Sequence, residues 1–395
     1  MNGSETSDIM TLQEQYVLGT YSPSMRITRG SMSWVWDDTG RRYLDFGVGI
    51  SVCNLGHCHP AVTEAIQRQA ATLVHVSNLY YNNNQPRLAS LIAQNSFGGK
   101  VFFCNSGAEA NEGLIKLARK WGNERGRNEI ICMRNSFHGR TLATLAATGR
   151  AKYRKGFEPD MPGFTHVPFN DLTAVSEAVT PRTAAVLVEP IQGEGGVVPA
   201  ERAFLAGLSS LCAESGILLM FDEVQCGMGR TGCYFAAQHY GVEPDAMSMA
   251  KALANGFPLG AFEVKEHLAD VLAPGTHAST FGGNPLACAA GVAVFETFAR
   301  EHVLDNCREM SIYLGGKLAE LKKRHNRIRE IRGVGLMVGM EVDGDVSGIM
   351  AKARESGLLI LSAGENVVRL MPPLTVQPDE IDLAADILDQ ALKQE

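Results

Sequence analysis

The sequence predicts an α/β protein with a large domain built on an open, mostly parallel sheet and a smaller α+β domain near its C-terminal end. Two observations predict this architecture. Short, continuously apolar runs alternate with helical patterns through the middle of the chain, as expected for strands that helices bury on both faces. After about Asn284 the pattern changes to a long amphipathic helix, short strands and a final helix. The 395 residues are enough for two or three domains.

Six apolar runs are the candidate strands of the larger sheet. They lie at residues 100–104, 129–133, 184–189, 217–222, 246–249 and 259–264. Helical patterns at 108–121 and 200–212 alternate with them. In open α/β sheets, ligands bind outside the carboxyl ends of the strands, so functional residues are expected just after these runs.

The C-terminal part predicts the smaller domain. One long helix there carries an apolar stripe of Val303, Cys307, Met310, Leu314, Leu318 and Leu321. Short strands are expected near 335–342 and 367–370, and a last helix begins at Pro378. The strand-like segment 34–46 is expected to pack against this domain. The predicted units are residues 1–50 (packing with the small domain), residues 51–290 (the large domain) and residues 291–395 (the small domain).

Composition excludes several classes of protein. The net charge of -7 and the absence of long Lys/Arg runs argue against nucleic acid as a main partner. No apolar stretch approaches the roughly 18 residues of a membrane span, so no membrane partner is expected. Residues 1–10 lack the basic and apolar regions of a signal peptide, which predicts a cytoplasmic protein. The nine scattered cysteines favour reduced thiols over a disulfide framework.

One short segment needs a test for metal binding, because it holds Cys53, His57, Cys58 and His59. Neighbouring side chains cannot all point at one ion, and no second Cys/His pair lies at zinc-site spacing. No metal is therefore predicted, and the segment is interpreted as a structural loop.

Two turns after predicted strands suit a phosphorylated, ring-containing ligand. Ser106 and Glu109 have the spacing of a helix capping box, and Gly107 would let a phosphate approach the exposed N–H groups of the helix. In the next turn, Phe137 can lie on a flat heterocycle and Arg140 can bind a carboxylate. The alternatives are a simple capped helix, and a core phenylalanine beside a surface arginine.

An acid and a lysine complete the pattern. Asp222 ends a buried strand, where a protonated ring nitrogen would be a suitable partner; the alternative is an N-cap for the following turn. Lys251 is the only charged side chain between Ala246 and Phe262. Loss of water around it would lower its pKa and make its amine nucleophilic, whereas the alternative is a lysine that reaches the surface. No GxSxG, HExxH or Walker A motif is present.

Taken in order, these segments resemble the class III (ω-amino acid) aminotransferases of fold type I. The matching segments run from about Trp34 to Leu374: LGHCHPAV, FFCNSGAEANEGLIKLARKW, SFHGRT, VEPIQGEGG, FDEVQCGMGRTG, AKALANGFPLGA, STFGGNPLACAA and VVRLMPPLTV. Within the class, SNLYYNNNQPRLA and STFGGNPLACAA are most similar to the acetylornithine aminotransferases of arginine biosynthesis.

The resemblance implies pyridoxal 5′-phosphate as the cofactor. Lys251 would carry it as a Schiff base and then act as general base and acid, while Asp222 would pair with the ring nitrogen. The other implied cofactor residues are Gly107, Ala108, Phe137, Glu223, Val224, Gln225 and Thr280. Gln225 would donate to the ring oxygen, and Phe137 would stack on the ring. Thr280 would reach the phosphate from the neighbouring subunit, which implies a homodimer with a shared active site.

The resemblance also implies how one site accepts two unlike substrates. Arg140 would bind the distal carboxylate of acetylornithine or glutamate, with Ser279 close to the substrate. Arg369 would bind the α-carboxylate of glutamate, and Glu194 would neutralise Arg369 when acetylornithine is bound. The implied reaction moves the terminal amino group of N2-acetyl-L-ornithine to 2-oxoglutarate, which gives N-acetylglutamate 5-semialdehyde and glutamate.

Three kinds of alternative stay open from the sequence. Succinylornithine, ornithine or 4-aminobutyrate can replace acetylornithine as amine donor. A racemase or aminomutase would use the same cofactor without net transamination, and a catalytically silent homologue would only bind. The segment 82–85 departs from the family pattern, which leaves the acyl preference open, and the sequence assigns no role to His138.

Overall fold

The structure is a computed structural model that describes residues 3–393, with the side chains of residues 9–393. Its helices are α1 (Gly3–Tyr16), the four-residue turn α2 (Val48–Ser51), α3 (Pro60–Ala70), α4 (Asn84–Gln94), α5 (Gly107–Asn123), α6 (Leu142–Ala147), α7 (Ala151–Arg154), α8 (Leu172–Ala178), α9 (Arg202–Ser215), α10 (Ala236–Tyr240), α11 (Pro285–Arg300), α12 (Val303–Arg324), α13 (Ser347–Glu355) and α14 (Pro378–Leu392). Two short 3-10 turns lie at Lys251–Ala254 and Glu266–Leu268.

The strands form three larger sheets and one small ribbon. They are β1 (Ile27–Ser31), β2 (Trp34–Asp37), β3 (Arg42–Asp45), β4 (Lys100–Cys104), β5 (Glu129–Met133), β6 (Phe164–Val167), β7 (Thr183–Val188), β8 (Ile191–Gln192), β9 (Val198–Pro199), β10 (Leu218–Asp222), β11 (Ala246–Met249), β12 (Gly260–Val264), β13 (Ile328–Val334), β14 (Met337–Val342), β15 (Leu358–Leu359), β16 (Leu361–Ser362) and β17 (Val367–Leu370). The ribbon pairs β8 with β9.

The large domain is built on a seven-stranded sheet with the order β4-β12-β11-β10-β7-β5-β6. Its strands run parallel except β12, which is antiparallel to both β11 and β4. The strands are apolar along their length because both faces are covered, and β7, β10, β11 and β12 are buried throughout. The predicted mostly parallel α/β sheet is therefore confirmed, including all six predicted strands.

The small domain is α+β, as the sequence predicts. Its antiparallel sheet has the order β13-β14-β17-β16; α12 packs against β13, and α14 packs against α12 and α13. The N-terminal sheet β1-β2-β3 is completed by the C-terminal strand β15, which pairs in parallel with β3. Ser33 and Trp34 both donate hydrogen bonds of 2.9 Å to the carboxylate of Glu380, at the start of α14. These contacts join the N-terminal segment to the small domain.

The buried helix α11 connects the two parts of the chain. It packs on α3, α4 and the 3-10 turn that begins at Lys251, and most of its sides are buried. It runs unbroken from Pro285 to Arg300, so the predicted domain boundary at residue 290 lies inside it. The division into three units stays a prediction.

Arg230 joins the two domains from the inside. Its guanidinium is fully buried and donates to Ser51 Oγ (2.9 Å), Asn54 Oδ1 (2.6 Å) and the carbonyl oxygens of Leu336 (3.1 Å) and Pro372 (2.5 Å). Within residues 9–393 no carboxylate lies within 4 Å of it, and burial lowers its pKa to about 10. Neutral oxygens from both domains therefore satisfy this side chain, which fixes the loop after β10 against the small domain.

Candidate active site

A cavity of about 370 Å³ opens at the carboxyl ends of the parallel strands, where the sequence predicts the functional residues. Nine of the predicted residues line it: Gly107, Ala108, Phe137, Arg140, Glu194, Asp222, Val224, Gln225 and Lys251. They lie at the ends of β4, β5, β8, β10 and β11 or in the segments that follow. The sheet therefore brings together residues that lie far apart in the sequence.

Lys251 follows β11 and begins a 3-10 turn. Its backbone lies in the left-handed region (φ 48°), which is strained for a residue with a side chain, and such strain is common at functional sites. Removal from water by the cavity walls lowers the pKa of its amine to about 8, although Glu194 opposes this shift. An appreciable share of the amine is therefore unprotonated and nucleophilic near neutral pH.

The start of α5 forms a cradle for an anion. Ser106 is the N-cap, and its hydroxyl accepts the N–H of Glu109 at 3.2 Å. The Glu109 carboxylate accepts the N–H of Asn105 at 2.5 Å instead of the N–H of Ser106, so the predicted capping box is shifted by one residue. The N–H groups of Gly107 and Ala108 belong to the first turn, which has no acceptors within its own helix.

Residue 107 has to be glycine because of its neighbour across the cavity. A Cβ at Gly107 would lie 2.6 Å from Cγ1 of Val224, closer than real contacts allow. The start of α5 and the loop after β10 can therefore lie this close together only because residue 107 has no side chain. This close approach, the N–H groups at the start of α5 and the nucleophilic amine of Lys251 fit a flat phosphorylated cofactor such as pyridoxal phosphate.

Asp222 lies at the end of β10 and is only 3% exposed. Its Oδ2 accepts hydrogen bonds from Asn111 Nδ2 and His138 Nδ1, each at 2.7 Å, and its Oδ1 accepts the N–H of Val224 at 3.0 Å. These donors orient a buried carboxylate toward the cavity. The structure thereby gives His138 a role that the sequence does not assign, since it positions Asp222.

Glu189 is a functional candidate that the sequence analysis overlooks. It follows β7, lines the cavity and is 5% exposed. Its carboxylate accepts the N–H of Phe137 at 2.8 Å and the N–H of Gly193 at 3.3 Å. Burial raises its pKa to about 7. An acid at the carboxyl end of a buried strand is the signal that identifies Asp222, and the same signal is present at Glu189.

Arg369 and Glu194 form an ion pair at the cavity. Arg369 Nη1 donates to Glu194 Oε1 at 2.5 Å and to Gln225 Oε1 at 3.1 Å. Burial alone would raise the pKa of Glu194, but the charge of Arg369 holds it below its usual value. Arg369 Nε is buried and has no hydrogen-bond partner within residues 9–393, which leaves a donor for a ligand. The pairing that the sequence predicts is present.

Arg140 lies on a different wall of the cavity and is exposed. Its guanidinium carbon lies 4.0 Å from the ring centre of Tyr153 and 5.5 Å from that of Phe137. In the described part of the chain, no carboxylate lies within 4 Å of it. The two rings hold Arg140 in place, and its charge is available to an acidic ligand.

Four predicted residues are not among those that line this cavity: Arg369, which contacts the lining residue Glu194, and Glu223, Ser279 and Thr280. Glu223 points its carboxylate at the first N–H groups of α10, accepting those of Ala236 (2.6 Å) and Ala237 (2.7 Å), so its side chain supports the fold. Ser279 and Thr280 line a separate pocket at the edge of the sheet beside β4. Within a single subunit they do not reach the cavity.

The segment that departs from the family pattern begins α4 and supports the loop of Ser279. Asn82 Oδ1 accepts the N–H groups of Asn84 (3.1 Å) and Gln85 (2.9 Å), and Gln85 Nε2 donates to Asn78 Oδ1 at 3.0 Å. Asn78 in turn donates to the carbonyl oxygen of Ser279 at 3.2 Å. The segment therefore positions the outer loop and does not line the cavity of its own subunit.

Comparison with known proteins identifies the relatives of this chain. The family model described as aminotransferase class-III matches residues 18–392. The acetylornithine aminotransferase of Caldanaerobacter subterraneus subsp. tengcongensis is 51% identical over 392 residues, which cover 98% of this chain and 99% of the relative. That of Methanocaldococcus jannaschii is 48% identical over 389 residues, which cover 97% of each chain.

Solved structures of aminotransferases superpose on this chain. The ornithine aminotransferase from Toxoplasma gondii ME49 superposes with a TM-score of 0.94 at 34% identity, covering 98% of this chain and 94% of that chain. The N-acetylornithine aminotransferase from Stenotrophomonas maltophilia K279a superposes with a TM-score of 0.84 at 36% identity, covering 97% and 98%. These two enzymes share this backbone although they are named for different amine donors.

Proposed function

We propose that this chain, which belongs to the class III aminotransferases and is a pyridoxal-phosphate-dependent transaminase, moves the terminal amino group of N2-acetyl-L-ornithine to 2-oxoglutarate. The observation that carries the proposal is a pair of arginines at this site: Arg140 lines the cavity, and Arg369 lies behind it, bonded to the lining residues Glu194 and Gln225. Within residues 9–393, only Arg369 of the two has an acidic partner. A site that alternates between an ω-amine and a dicarboxylic acid needs this asymmetry. The names of the relatives, at about half identity over the whole chain, support acetylornithine as the amine donor.

When bound, pyridoxal phosphate supplies an electron sink that makes the C–H bond beside the transferred nitrogen acidic. The backbone N–H groups of Gly107 and Ala108 would hold its phosphate, and Asp222 would hold the proton of its ring nitrogen. Phe137 and Val224 would enclose the ring, and Gln225 would donate to the ring oxygen. Lys251 Nζ would hold the cofactor covalently, then take the proton from that carbon and return it at the neighbouring position.

The direct test is turnover by the purified protein loaded with pyridoxal phosphate. With acetylornithine and 2-oxoglutarate, glutamate is expected to form at a rate set by both substrates. Succinylornithine, ornithine and 4-aminobutyrate are the competing donors. A racemase or aminomutase would not consume 2-oxoglutarate, so formation of isomers without glutamate would contradict the proposal.

Glu194→Ala is expected to affect the two half-reactions unequally. Acetylornithine places no carboxylate beside Arg369, so loss of Glu194 leaves a buried, unpaired guanidinium. We expect kcat/KM for acetylornithine to fall about 10- to 100-fold. Glutamate brings its own carboxylate to Arg369 and should lose less than about threefold. Single-turnover absorbance of the cofactor with each donor measures both values.

Glu365→Ala is the matched control, since Glu365 is an exposed glutamate of the domain that carries Arg369. It should leave both half-reactions unchanged. Equal losses with the two donors in Glu194→Ala would show that Glu194 has no part in alternating between substrates.

The acyl group of the amine donor is expected to raise kcat/KM because three cationic side chains surround Tyr153. Arg140, Arg150 and Lys152 lie 4.0, 5.0 and 5.5 Å from its ring centre. Among residues 9–393 no carboxylate forms an ion pair with any of the three. The free α-ammonium of ornithine would meet this cationic cluster, whereas the amide of acetylornithine is neutral.

We therefore expect kcat/KM for acetylornithine to exceed that for ornithine by about tenfold or more. Lys152→Glu should raise kcat/KM for ornithine and so bring the values for the two donors closer together. Lys155→Glu, about one turn away and also exposed, should leave both values unchanged. Steady-state assays with both donors measure this. If ornithine reacted as well as acetylornithine in the unmodified protein, the charge argument would fail.

We further propose a homodimer with a shared active site, as the resemblance to the family implies. Ser279 and Thr280 lie outside the cavity of their own subunit, beside an exposed apolar surface that includes Leu79, Tyr81 and Phe281. Leu79 is 86% exposed and Phe281 is 60% exposed. A second copy would cover this surface and receive Thr280 at its phosphate cradle.

Thr280→Ala is expected to weaken binding of pyridoxal phosphate about tenfold, the loss of one hydrogen bond to a charged group. Thr276→Ala in the same loop is the control, because the Thr276 hydroxyl donates to the carbonyl oxygen of Ala273 in the same subunit. Sedimentation should give twice the 42.6 kDa mass of the chain. A monomer that binds the cofactor equally well with and without Thr280 would contradict the shared site.

The cytoplasmic location belongs to the same proposal. No helix within residues 3–393 has the length and apolar character needed to span a bilayer. The nine cysteines are all free thiols in the structure, which fits a reducing compartment.

A further inference from the structure

Glu194 lies in a loop, residues 193–197, whose own sequence does little to fix its backbone. Its neighbours in the chain are Gly193, Gly195 and Gly196. Glycine has more conformational freedom than any other residue, so a glycine-rich backbone has to be held from outside. Val197 has φ of 50°, which is strained for a residue with a side chain. The position of the Glu194 carboxylate therefore depends on contacts that other elements make with this loop.

Side chains from other elements bond to the backbone of the loop. The Glu189 carboxylate accepts the N–H of Gly193 at 3.3 Å. Arg150 Nη1 donates to the carbonyl oxygen of Glu194 at 2.7 Å. Arg332 Nε donates to the carbonyl oxygen two residues further along the loop at 3.0 Å. The bond from Arg150 is the shortest of the three and the one that is made to Glu194 itself.

Arg150 is held in place by an aromatic ring that also holds Arg140. The guanidinium carbon of Arg150 lies 5.0 Å from the ring centre of Tyr153, and that of Arg140 lies 4.0 Å from the same centre. Arg150 is half-buried. A hydrogen bond from a charged donor is stronger than one between neutral groups. The bond from Arg150 to the carbonyl oxygen of Glu194 is therefore a firm anchor for the loop.

The strength of this anchor affects how easily a substrate displaces Glu194 from Arg369. In the structure the two side chains form an ion pair, with Oε1 of Glu194 2.5 Å from Nη1 of Arg369. A glutamate substrate brings its own carboxylate to Arg369, so Glu194 has to turn away. While the backbone of Glu194 is fixed, the ion pair costs only the rotamer freedom of the side chains. A mobile backbone would add its own entropy to that cost, and glutamate would displace Glu194 more easily.

We propose that Arg150 is a positioning residue that holds the backbone of Glu194, keeps its carboxylate on Arg369 and thereby sets the preference of the site for an ω-amine donor over glutamate. This inference rests on the proposed function, because it concerns the alternation of acetylornithine and glutamate at one site. Arg150 is not among the residues that line the cavity. It acts on the substrates through Glu194.

The first test measures the loop itself and does not depend on the substrate. Hydrogen–deuterium exchange is followed by mass spectrometry in the unmodified holoenzyme and in Arg150→Met, which keeps an unbranched side chain and removes its donors. The N–H groups of Gly193 and Val197 each make a hydrogen bond of 3.3 Å, which breaks when the loop opens. Exchange in the peptide that spans 190–198 is therefore expected to become about threefold faster or more.

Two controls show whether the change is specific to the loop. Strand β10 is buried throughout, and its exchange should be the same in both proteins. Lys155→Met removes an exposed cation five residues away and should leave exchange at 190–198 unchanged. Equal exchange at 190–198 in Arg150→Met and the unmodified protein would overturn the proposal.

The second test asks whether a loosened loop changes the choice of donor. In Arg150→Met, the ratio of kcat/KM for acetylornithine to that for glutamate is expected to fall about three- to tenfold, the effect of one hydrogen bond. Most of the change should be a lower KM for glutamate, because Glu194 competes less well for Arg369. General damage to the site would instead raise KM for both donors. Single-turnover rates over a range of donor concentrations separate half-saturation from the maximal rate.

A double variant shows whether Arg150 acts through Glu194. In a protein that already carries Glu194→Ala, Arg150→Met should change the ratio of the two donors by less than about twofold. An equal change with and without Glu194 would overturn the proposal. Failure of acetylornithine to react with the unmodified holoenzyme would contradict the proposed function, whereas unchanged exchange at 190–198 in Arg150→Met would overturn this inference alone.

Discussion

Replacement of Lys251 by alanine is expected to lower kcat for transamination about 10³-fold or more. The substitution removes the covalent anchor of the cofactor and the group that carries the proton, and each role accounts for about two to four orders of magnitude. Among the residues that line the cavity, Lys251 is the only lysine, so no neighbouring amine can replace it. Single-turnover measurements with acetylornithine would report the loss on the chemical step.

Lys120→Ala is the matched control, because Lys120 is an exposed lysine in the last turn of α5. It should retain normal turnover. The Lys251→Ala protein should still bind pyridoxal phosphate at the cradle of Gly107, without the absorption of a covalently held cofactor. Turnover within tenfold of the unmodified protein would refute the central assignment.

Lys251 could be predicted from the sequence because its signal is local. It is the only charge in a long apolar stretch, and the structure shows the loss of water that such a stretch implies. The strands of the large sheet were predictable for the same reason. A strand buried on both faces is a short apolar run, and β4, β5 and β11 have the predicted bounds.

The helix α11 could not be predicted in this way. It is apolar on most of its sides, so it lacks the periodic stripe by which an amphipathic helix is recognised. Its burial depends on α3, α4 and the turn of Lys251, which come from distant parts of the chain. The sequence shows a change of pattern after Asn284 but not the helix that causes it.

The hydrogen-bond partners of Asp222 could not be predicted from the sequence either. Asn111, on α5, and His138, after β5, are 111 and 84 positions away from it in the chain. Only the order of the strands brings them together. Glu223, by contrast, could have been assigned correctly, because successive side chains at a strand end point to opposite faces. With Asp222 toward the cavity, Glu223 had to face α10.

The roles of Ser279 and Thr280 depend on a further level of structure. Within one subunit they line a pocket at the sheet edge, and the resemblance alone connects them with a cofactor. Their loop is held by Asn78, Asn82 and Gln85, so the segment that departs from the family pattern acts on the proposed subunit interface. Its effect on substrate choice would therefore be transmitted to the partner's cavity.

Asp222→Asn is expected to reduce kcat about 10²- to 10⁴-fold while the protein stays folded. Oδ2 of Asp222 accepts two hydrogen bonds, from Asn111 and His138, and an amide cannot accept both and also carry the negative charge that holds a proton on the ring nitrogen. Loss of one partner of a buried charged pair costs about 3–5 kcal/mol, which corresponds to this range. Single-turnover rates with glutamate, alongside thermal unfolding, measure activity and fold separately.

Asp245→Asn supplies the control, because Asp245 is an acid of the same sheet at the amino end of β11, where it accepts the N–H of Leu219 at 2.9 Å. It lies away from the cavity and should keep normal turnover even if it is less stable. His138→Asn should fall between the two, since Asn111 still orients Asp222. If Asp222→Asn and Asp245→Asn lost equal activity, the carboxylate at the end of β10 would be structural. A rate that falls most in Asp222→Asn, less in His138→Asn and not in Asp245→Asn would instead show that the charge at Asp222 sets the rate. It would also show that the side chains that orient this carboxylate contribute.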